Sequence, residues 1–433
     1  MYFHIFISNC NHLADILLLL FSDLRVTVLI ISAILGVYWI FYVPCNWTKS
    51  LQSVGYMPAV NSINFWKRIN SCKQHSINGF RRPRLIGITE LPPPYPNGWY
   101  CILESSSLIA KNVTYVSCLG EHFVVFRTFD GQVNVLDAYC PHLGANMGLN
   151  GQVKGDNIEC PFHQWSFRGS DGTCANIPYS HTEPKGIKVR KWICREINDG
   201  IFIWYHSENE KNHWELPFIS AVDNKELVFH GRNEFYINCH IQEIPENGAD
   251  LAHFPSIHKA FLLTGLEKRG EHLISRIVQH HWEAIWSTSV SPKTHVATLD
   301  LKHSIHLFPK FNILEVNVQA KQIGPSFVHL HLKSSLFGQI EILQTITPVE
   351  PLIQKVVHRF YAQKFFGPLI KLMIFAESVM FERDIVMWNN KTYRSKPQLV
   401  KEDAAIKNFR NWFSQFYTEN SKSFLESRSA LDW

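Results

Sequence analysis

The chain is short of charge: 18% of its 433 residues are Asp, Glu, Lys or Arg, and the formal balance of +5 is scattered along it. That leaves no basic stripe for a phosphate backbone, so a nucleic-acid partner is not expected. Hydrophobic residues make up nearly half of the chain, which excludes wholesale disorder and supplies a sizeable core. Cysteine is sparse too. Ten thiols without regular spacing exclude a disulfide-stapled secreted scaffold and leave buried thiols or metal ligands. Cys101, Cys118, Cys174, Cys194 and Cys239 fall in strand-like or turn segments and read as buried or idle thiols. No internal repeat or low-complexity tract is present. No Lys or Arg precedes Arg25 and no small-residue cleavage site stands out, so a cleaved signal peptide is not expected. The sequons at Asn46, Asn112 and Asn390 then read as chance matches.

One long apolar run is present. Residues 24–43 carry a single charge, Arg25, at the edge, and are long enough to cross a hydrocarbon layer of about 30 Å. Tyr38, Trp39 and Tyr42 gather near its C-terminal end, where amphipathic rings favour the membrane interface. Residues Ile16–Phe21 are apolar but short. Lys49, Lys67, Arg68 and Lys73 follow the run, which places the C-terminal bulk on the cytoplasmic side by the positive-inside rule. The expected organisation is a segment 1–23, an anchor 24–43, a lead-in 44–98 ending in the turn-rich Leu91–Gly98, a small antiparallel β unit 99–205, and a mixed unit 206–433. Within the β unit, short alternating runs at 122–127, 133–136 and 200–205 are separated by turns at Asp130-Gly131 and Asp171-Gly172. In the mixed unit, strands are expected over 311–318 and 327–332, and a helix over 367–388.

Two groups of residues carry metal chemistry. Cys140-Pro141-His142 and Cys160-Pro161-Phe162-His163 supply two thiolates and two imidazoles from paired loops. Such a set holds either a [2Fe-2S] cluster, two Cys on one iron and two His on the other, or a structural zinc ion. Downstream, Asp250, His253 and His258 lie close together. Asp250 and His253, three apart, would share a helix face, and Pro255 would disturb the helix so that His258 swings toward the same point. Two neutral imidazoles and one carboxylate form a facial triad that leaves positions on Fe(II) open for dioxygen and substrate. The carboxylate has to come from farther along. Asp384, in the apolar helix, is the candidate because a buried unpaired carboxylate is costly and a metal removes that cost; Glu382 is the reserve, and a solvated polar stripe with Glu377 and Arg383 is the alternative.

Together the two motifs resemble the Rieske non-haem iron oxygenases, both by the paired Cys-Pro loops and by Asn247-x-x-Asp250-x-x-His253-x-x-x-x-His258. The family often has Gly directly after the second cluster histidine; Gln164 stands there, which matters if the position needs positive φ. From about residue 95 to the closing Asn408–Tyr417, and with an N-terminal anchor, the chain is similar to the Neverland-type cholesterol 7-desaturases. The resemblance implies an α+β fold: a transmembrane helix, an antiparallel β Rieske domain and a helix-grip catalytic domain. It implies a cluster on Cys140, His142, Cys160 and His163, and a mononuclear Fe(2+) on His253, His258 and Asp384. It also implies that the Asp250 carboxylate bridges an iron-ligating histidine and a cluster-ligating histidine of a neighbouring subunit in a homotrimer. Electrons would come from NAD(P)H through a reductase partner, and O2 would serve to desaturate cholesterol to 7-dehydrocholesterol, a steroid hormone precursor, at the endoplasmic reticulum. A sterol or lipid hydroxylase of the same architecture and a membrane-bound Rieske electron carrier are the competing readings.

Overall fold

The computed structural model describes residues 24–49, 90–258, 277–308 and 311–429. The expected segment 1–23, with Ile16–Phe21, and residues 50–89 of the lead-in, with Lys67, Arg68 and Lys73, lie outside the described residues.

Helix α1 (Leu24–Tyr42) occupies the apolar run. Pro44 stops it, because the proline ring disfavours helical geometry at Val43. None of residues 25–42 is buried inside the protein. Two residues on, within the segment expected as a lead-in, β1 (Cys45–Lys49) pairs in parallel with the edge of a large sheet at β12 (Val228–Asn238). Such a short, polar strand carries no alternation from which to read it. What admits it is Gly231, at φ +146°, where a Cβ would stand 2.1 Å from the Cys45 carbonyl oxygen.

The β unit holds three small sheets. One is β2 (Gly98–Glu104), β10 (Cys194–Ile197) and β11 (Gly200–Tyr205); a second is β3 (Val113–Cys118), β4 (Glu121–Arg127) and β5 (Val133–Asp137). The third joins β6 (Gln152–Lys154), β7 (Asn157–Glu159), β8 (Ser166–Arg168) and β9 (Cys174–Asn176). Strand β11 does not alternate as expected: all six of its residues are buried. It is the middle strand of its sheet, with Ile201, Ile203 and Tyr205 in one core and Phe202 and Trp204 in another. The first of these cores runs into the second unit through Phe235, Ile346, Ile385 and Trp388, so the two units share packing.

The second unit is an eight-stranded sheet in the order β1-β12-β18-β17-β16-β15-β14-β13, antiparallel beyond β1, with β13 (Val278–Thr288), β14 (Val296–Leu307), β15 (Phe311–Ile323), β16 (Phe327–Ser334), β17 (Gly338–Glu350) and β18 (Ile353–Ala362). Short helix α2 (His253–Ile257) precedes β13, and the long helix α3 (Gly367–Asn390) packs on β12 and β18. Pro368 begins α3 where its missing N–H costs nothing. Ile370, Ile374, Ser378, Ile385 and Trp388 form its buried stripe at helical spacing. Helix α4 (Ala404–Phe413) closes the fold, burying Phe409, Trp412 and Phe413 against Ala249 and Ala297.

Candidate metal centres

The two cysteine loops have matching geometry. Cys140 follows β5, its N–H donates to the Ala145 carbonyl at 2.9 Å, and its own carbonyl accepts from Gly144 at 2.9 Å. Cys160 follows β7 and repeats the pattern with Trp165 at 2.8 Å and Gln164 at 3.1 Å. Each loop therefore turns at the residue two past its histidine or just after it, Gly144 at φ 73° and Gln164 at φ 60°. The position in question does need positive φ, and Gln adopts it at a steric cost that Gly144 avoids. Both thiols are buried over the core of Phe167, Met147 and Ile158. Burial, with Cys160 alongside, pushes the Cys140 thiol up to about 11, so a neighbouring cation is needed to hold it as thiolate. The His142 and His163 rings sit half-buried with centroids 4.7 Å apart, Trp165 stacks on His142 at 4.4 Å, and His142 Nδ1 is buried without a partner. Two buried thiols beneath two paired imidazoles fit a cluster whose histidine side faces the surface.

The second centre is assembled from two helices. His253, His258 and Asp384 present donor atoms that all lie within 4.8 Å of one another. His253 opens α2. Its Nδ1 can only donate to the Asp250 main-chain carbonyl, which leaves the Nε2 lone pair free for a metal. Burial lowers the His253 pKa, favouring that neutral form. His258 stands just past the end of α2, with Nε2 3.2 Å from Asp384 Oδ1. His258 Nδ1 and Asp384 Oδ1 are buried and make no hydrogen bond, as expected of donors waiting for a cation. This donor set fits Fe(II) in a facial triad.

Some expectations need correcting in detail. Asp250 does not share a helix face with His253, because α2 begins only at His253; Asp250 sits in the preceding turn and touches His253 through its main-chain carbonyl. Pro255 does not break the helix before His258. It lies within the first turn, where no N–H donor is required, and the His258 N–H still reaches the Phe254 carbonyl at 3.0 Å. Glu382 turns away from the centre to pair with Lys49 of β1 at 3.0 Å, and Glu377 bonds His358 at 2.6 Å.

Several supporting residues carried no signal in the sequence. Glu246, just before the motif, forms a bidentate pair with Arg410 of α4 at 2.7 and 2.9 Å. Trp282 packs on Phe254 and His258, and His303 stacks on Trp282 at 3.9 Å and bonds His280 at 2.8 Å. Burial, then Arg383, lowers His280 to about 4; burial, then His280, lowers His303 to about 3. Only the β13–β14 register, Trp282 opposite His303, brings this neutral wall to the metal ligands.

Residues 98–192 match the Rieske [2Fe-2S] domain, and residues 203–417 match the 3-ketosteroid 9alpha-hydroxylase C-terminal domain. Over 399 residues, 92% of each chain, the sequence is 50% identical to a cholesterol 7-desaturase of Drosophila melanogaster. The chain belongs to the Neverland cholesterol 7-desaturase family. A Xenopus laevis member is 46% identical over 90% of this chain and 84% of its own. NdmA of Pseudomonas putida CBB5, at 19% identity, shares the fold over 77% of this chain and 94% of its own with TM-score 0.54. As a Neverland-family protein the chain is an oxidoreductase of the Rieske oxygenase class. Its cofactors are the [2Fe-2S] cluster and a mononuclear non-haem iron, supplied with electrons by a reductase.

Proposed function

We propose that this enzyme introduces the C7–C8 double bond into cholesterol, giving 7-dehydrocholesterol for steroid hormone synthesis, with O2 and electrons drawn from NAD(P)H through a reductase. The observation that carries this reading is 50% identity over 92% of the chain to a cholesterol 7-desaturase, joined to the convergence of His253, His258 and Asp384. Cys140, His142, Cys160 and His163 would hold the cluster, and His253, His258 and Asp384 the iron. When bound, these groups supply single electrons and a site for activating dioxygen against an unactivated C–H bond. The chain supplies the rest. Asp250 fixes the His253 ring through its carbonyl, and the Phe254, Trp282, His303 and His280 wall keeps water from the open side. The Asp250 carboxylate would meet a cluster histidine of a neighbouring subunit in a homotrimer, as the family resemblance implies.

Helix α1 is read as a single membrane span, with the catalytic bulk on the cytosolic face of the endoplasmic reticulum. A substrate dissolved in the bilayer makes such an anchor useful. The match of residues 203–417 to a hydroxylase domain favours one second reading, sterol hydroxylation by the same site. Expression in cells supplied with cholesterol, followed by sterol mass analysis, separates them. Loss of two hydrogens is expected; gain of an oxygen would replace desaturation with hydroxylation, and an unchanged sterol pool would remove both.

A further inference from the structure

We infer that the end of the large sheet at which α1 arrives is a membrane-contact surface, an apolar rim that rests in the headgroup and outer acyl region of a lipid bilayer. The inference builds on the reading of α1 as a membrane span.

Register places the parts. Cys45 at the start of β1 lies opposite Gly231 near the start of β12, and the same end of the sheet carries the last residue of β18, Ala362, opposite Ile340. It also carries the β16–β17 turn, closed by Ser334 and Gly338, and the β14–β15 hairpin, closed by Leu307 and Phe311. Residues 311–316 lie ahead of the β15–β16 pairing, which starts at Asn317, so the hairpin projects beyond β16, with the first residues of β13 paired along the other side of β14.

Phe308, Phe311 and Ile313 on that hairpin, Leu336 in the turn, and Phe365 and Leu372 at the entry to α3 are each between 53 and 66% exposed. Singly exposed apolar residues are ordinary, but four at one end of the sheet with two more at the adjoining start of α3 form the kind of patch that marks a lipid or protein partner. The anchor selects the lipid. Its exposed side chains, Leu29, Ile34 and Leu35 among them, run toward this end, and only Val43 and Pro44 separate α1 from β1. The attachment is a clamp, not a tether: Gly367 lies so close to α1 that a Cβ would stand 3.1 Å from the Ile40 carbonyl oxygen. At the joint, Lys364 Nζ sits 4.6 Å over the Tyr42 ring and Lys371 Nζ 4.4 Å over Trp39. Lys371 also donates to the Trp39 carbonyl. Lysines paired with Trp and Tyr at a helix end are the chemistry of the membrane–water interface.

Helix α3 starts at this rim and leads away from it, Asp384 lying roughly 26 Å along the helix from Gly367. The test uses the full chain in phosphatidylcholine vesicles doped with a phospholipid bearing a diazirine on its acyl chain, photolysed and mapped by peptide mass analysis. Val290 is 83% exposed in the hairpin at the opposite end of the sheet and serves as the reference. Label is expected on α1 and on peptides holding Phe311, Leu336 and Phe365, at least tenfold above the peptide holding Val290. Labelled α1 with rim peptides no higher than Val290 overturns the inference and leaves the anchor standing, as it would if a second copy or the reductase covered the rim. Labelled rim peptides without α1 support the contact surface and overturn the spanning helix. Label on neither overturns both.

Discussion

Nε2 of His258 and Oδ1 of Asp384 stand 3.2 Å apart, one just past the five-residue helix α2 and the other deep in α3, and both side chains are less than a tenth exposed. His253 stands beside them, and the donor atoms of all three lie within 4.8 Å of one another. Asp384→Ala should therefore cost the mononuclear iron alone. Turnover is expected to fall by more than about 100-fold, while the visible absorption of the cluster persists. Glu382→Ala, altering a residue that faces Lys49, should leave the iron content unchanged. Iron analysis of both variants checks this, and full iron in the Asp384 variant would remove that residue from the centre.

The Glu246–Arg410 pair ties α4 to the loop that carries Asp250 and His253. Both side chains are largely buried, so removing one partner strands the other charge. Arg410→Leu is expected to lower stability by about 3 kcal/mol, and the double variant with Glu246→Gln should recover part of that. Denaturant unfolding of the two single variants and the double variant measures the coupling; strictly additive losses would mean that the pair does not act as a unit.

Acid should weaken the fold through His280 and His303. Their folded-state values, about 4 and about 3, lie below the ordinary 6.5, so the unfolded chain binds protons first as pH falls. Stability is full above pH 6.5 and is lost as pH drops toward 4. Each histidine contributes a slope of up to about 1.4 kcal/mol per pH unit. Thermal unfolding between pH 7 and 5 should show this fall, and His280→Gln with His303→Gln should flatten it. An unchanged slope in the double variant would place the acid sensitivity elsewhere.

At Gln164 the loop holds a non-glycine residue at φ 60°. Gln164→Gly should relieve that strain, offset in part by the greater freedom of glycine in the unfolded chain, for a net gain below about 1 kcal/mol. Retention of the cluster's absorption on heating measures it; a loss of stability would mean that the Gln side chain contributes more than its backbone costs.

Both cysteine loops and the His253–His258 spacing are legible in the sequence because their ligands sit within a few residues of one another. The α1 run and the α3 periodicity are legible for a similar reason, since each is a local pattern of apolar side chains. Strand β1 was not, because five polar-edged residues carry no period and their place depends on a glycine far along the chain, Gly231. The sequence named Asp384 as the candidate and Glu382 as the reserve, and the structure separates the two by their contacts. They lie two apart on one helix, and only the packing of α3 against β12 and β18 turns the first toward α2 and the second toward Lys49.

What the amino-acid order determined by itself was the chemistry on offer: two thiolates and two imidazoles in matched loops, and two further imidazoles with carboxylates nearby. How Asp384 rather than Glu382 is turned to the second set, which histidines wall it, and which end of the sheet meets the anchor were decided by tertiary structure. Those relationships join side chains from distant strands and helices, and their geometry is set by register and by the burial of a shared core, neither of which is a property of any local stretch of chain.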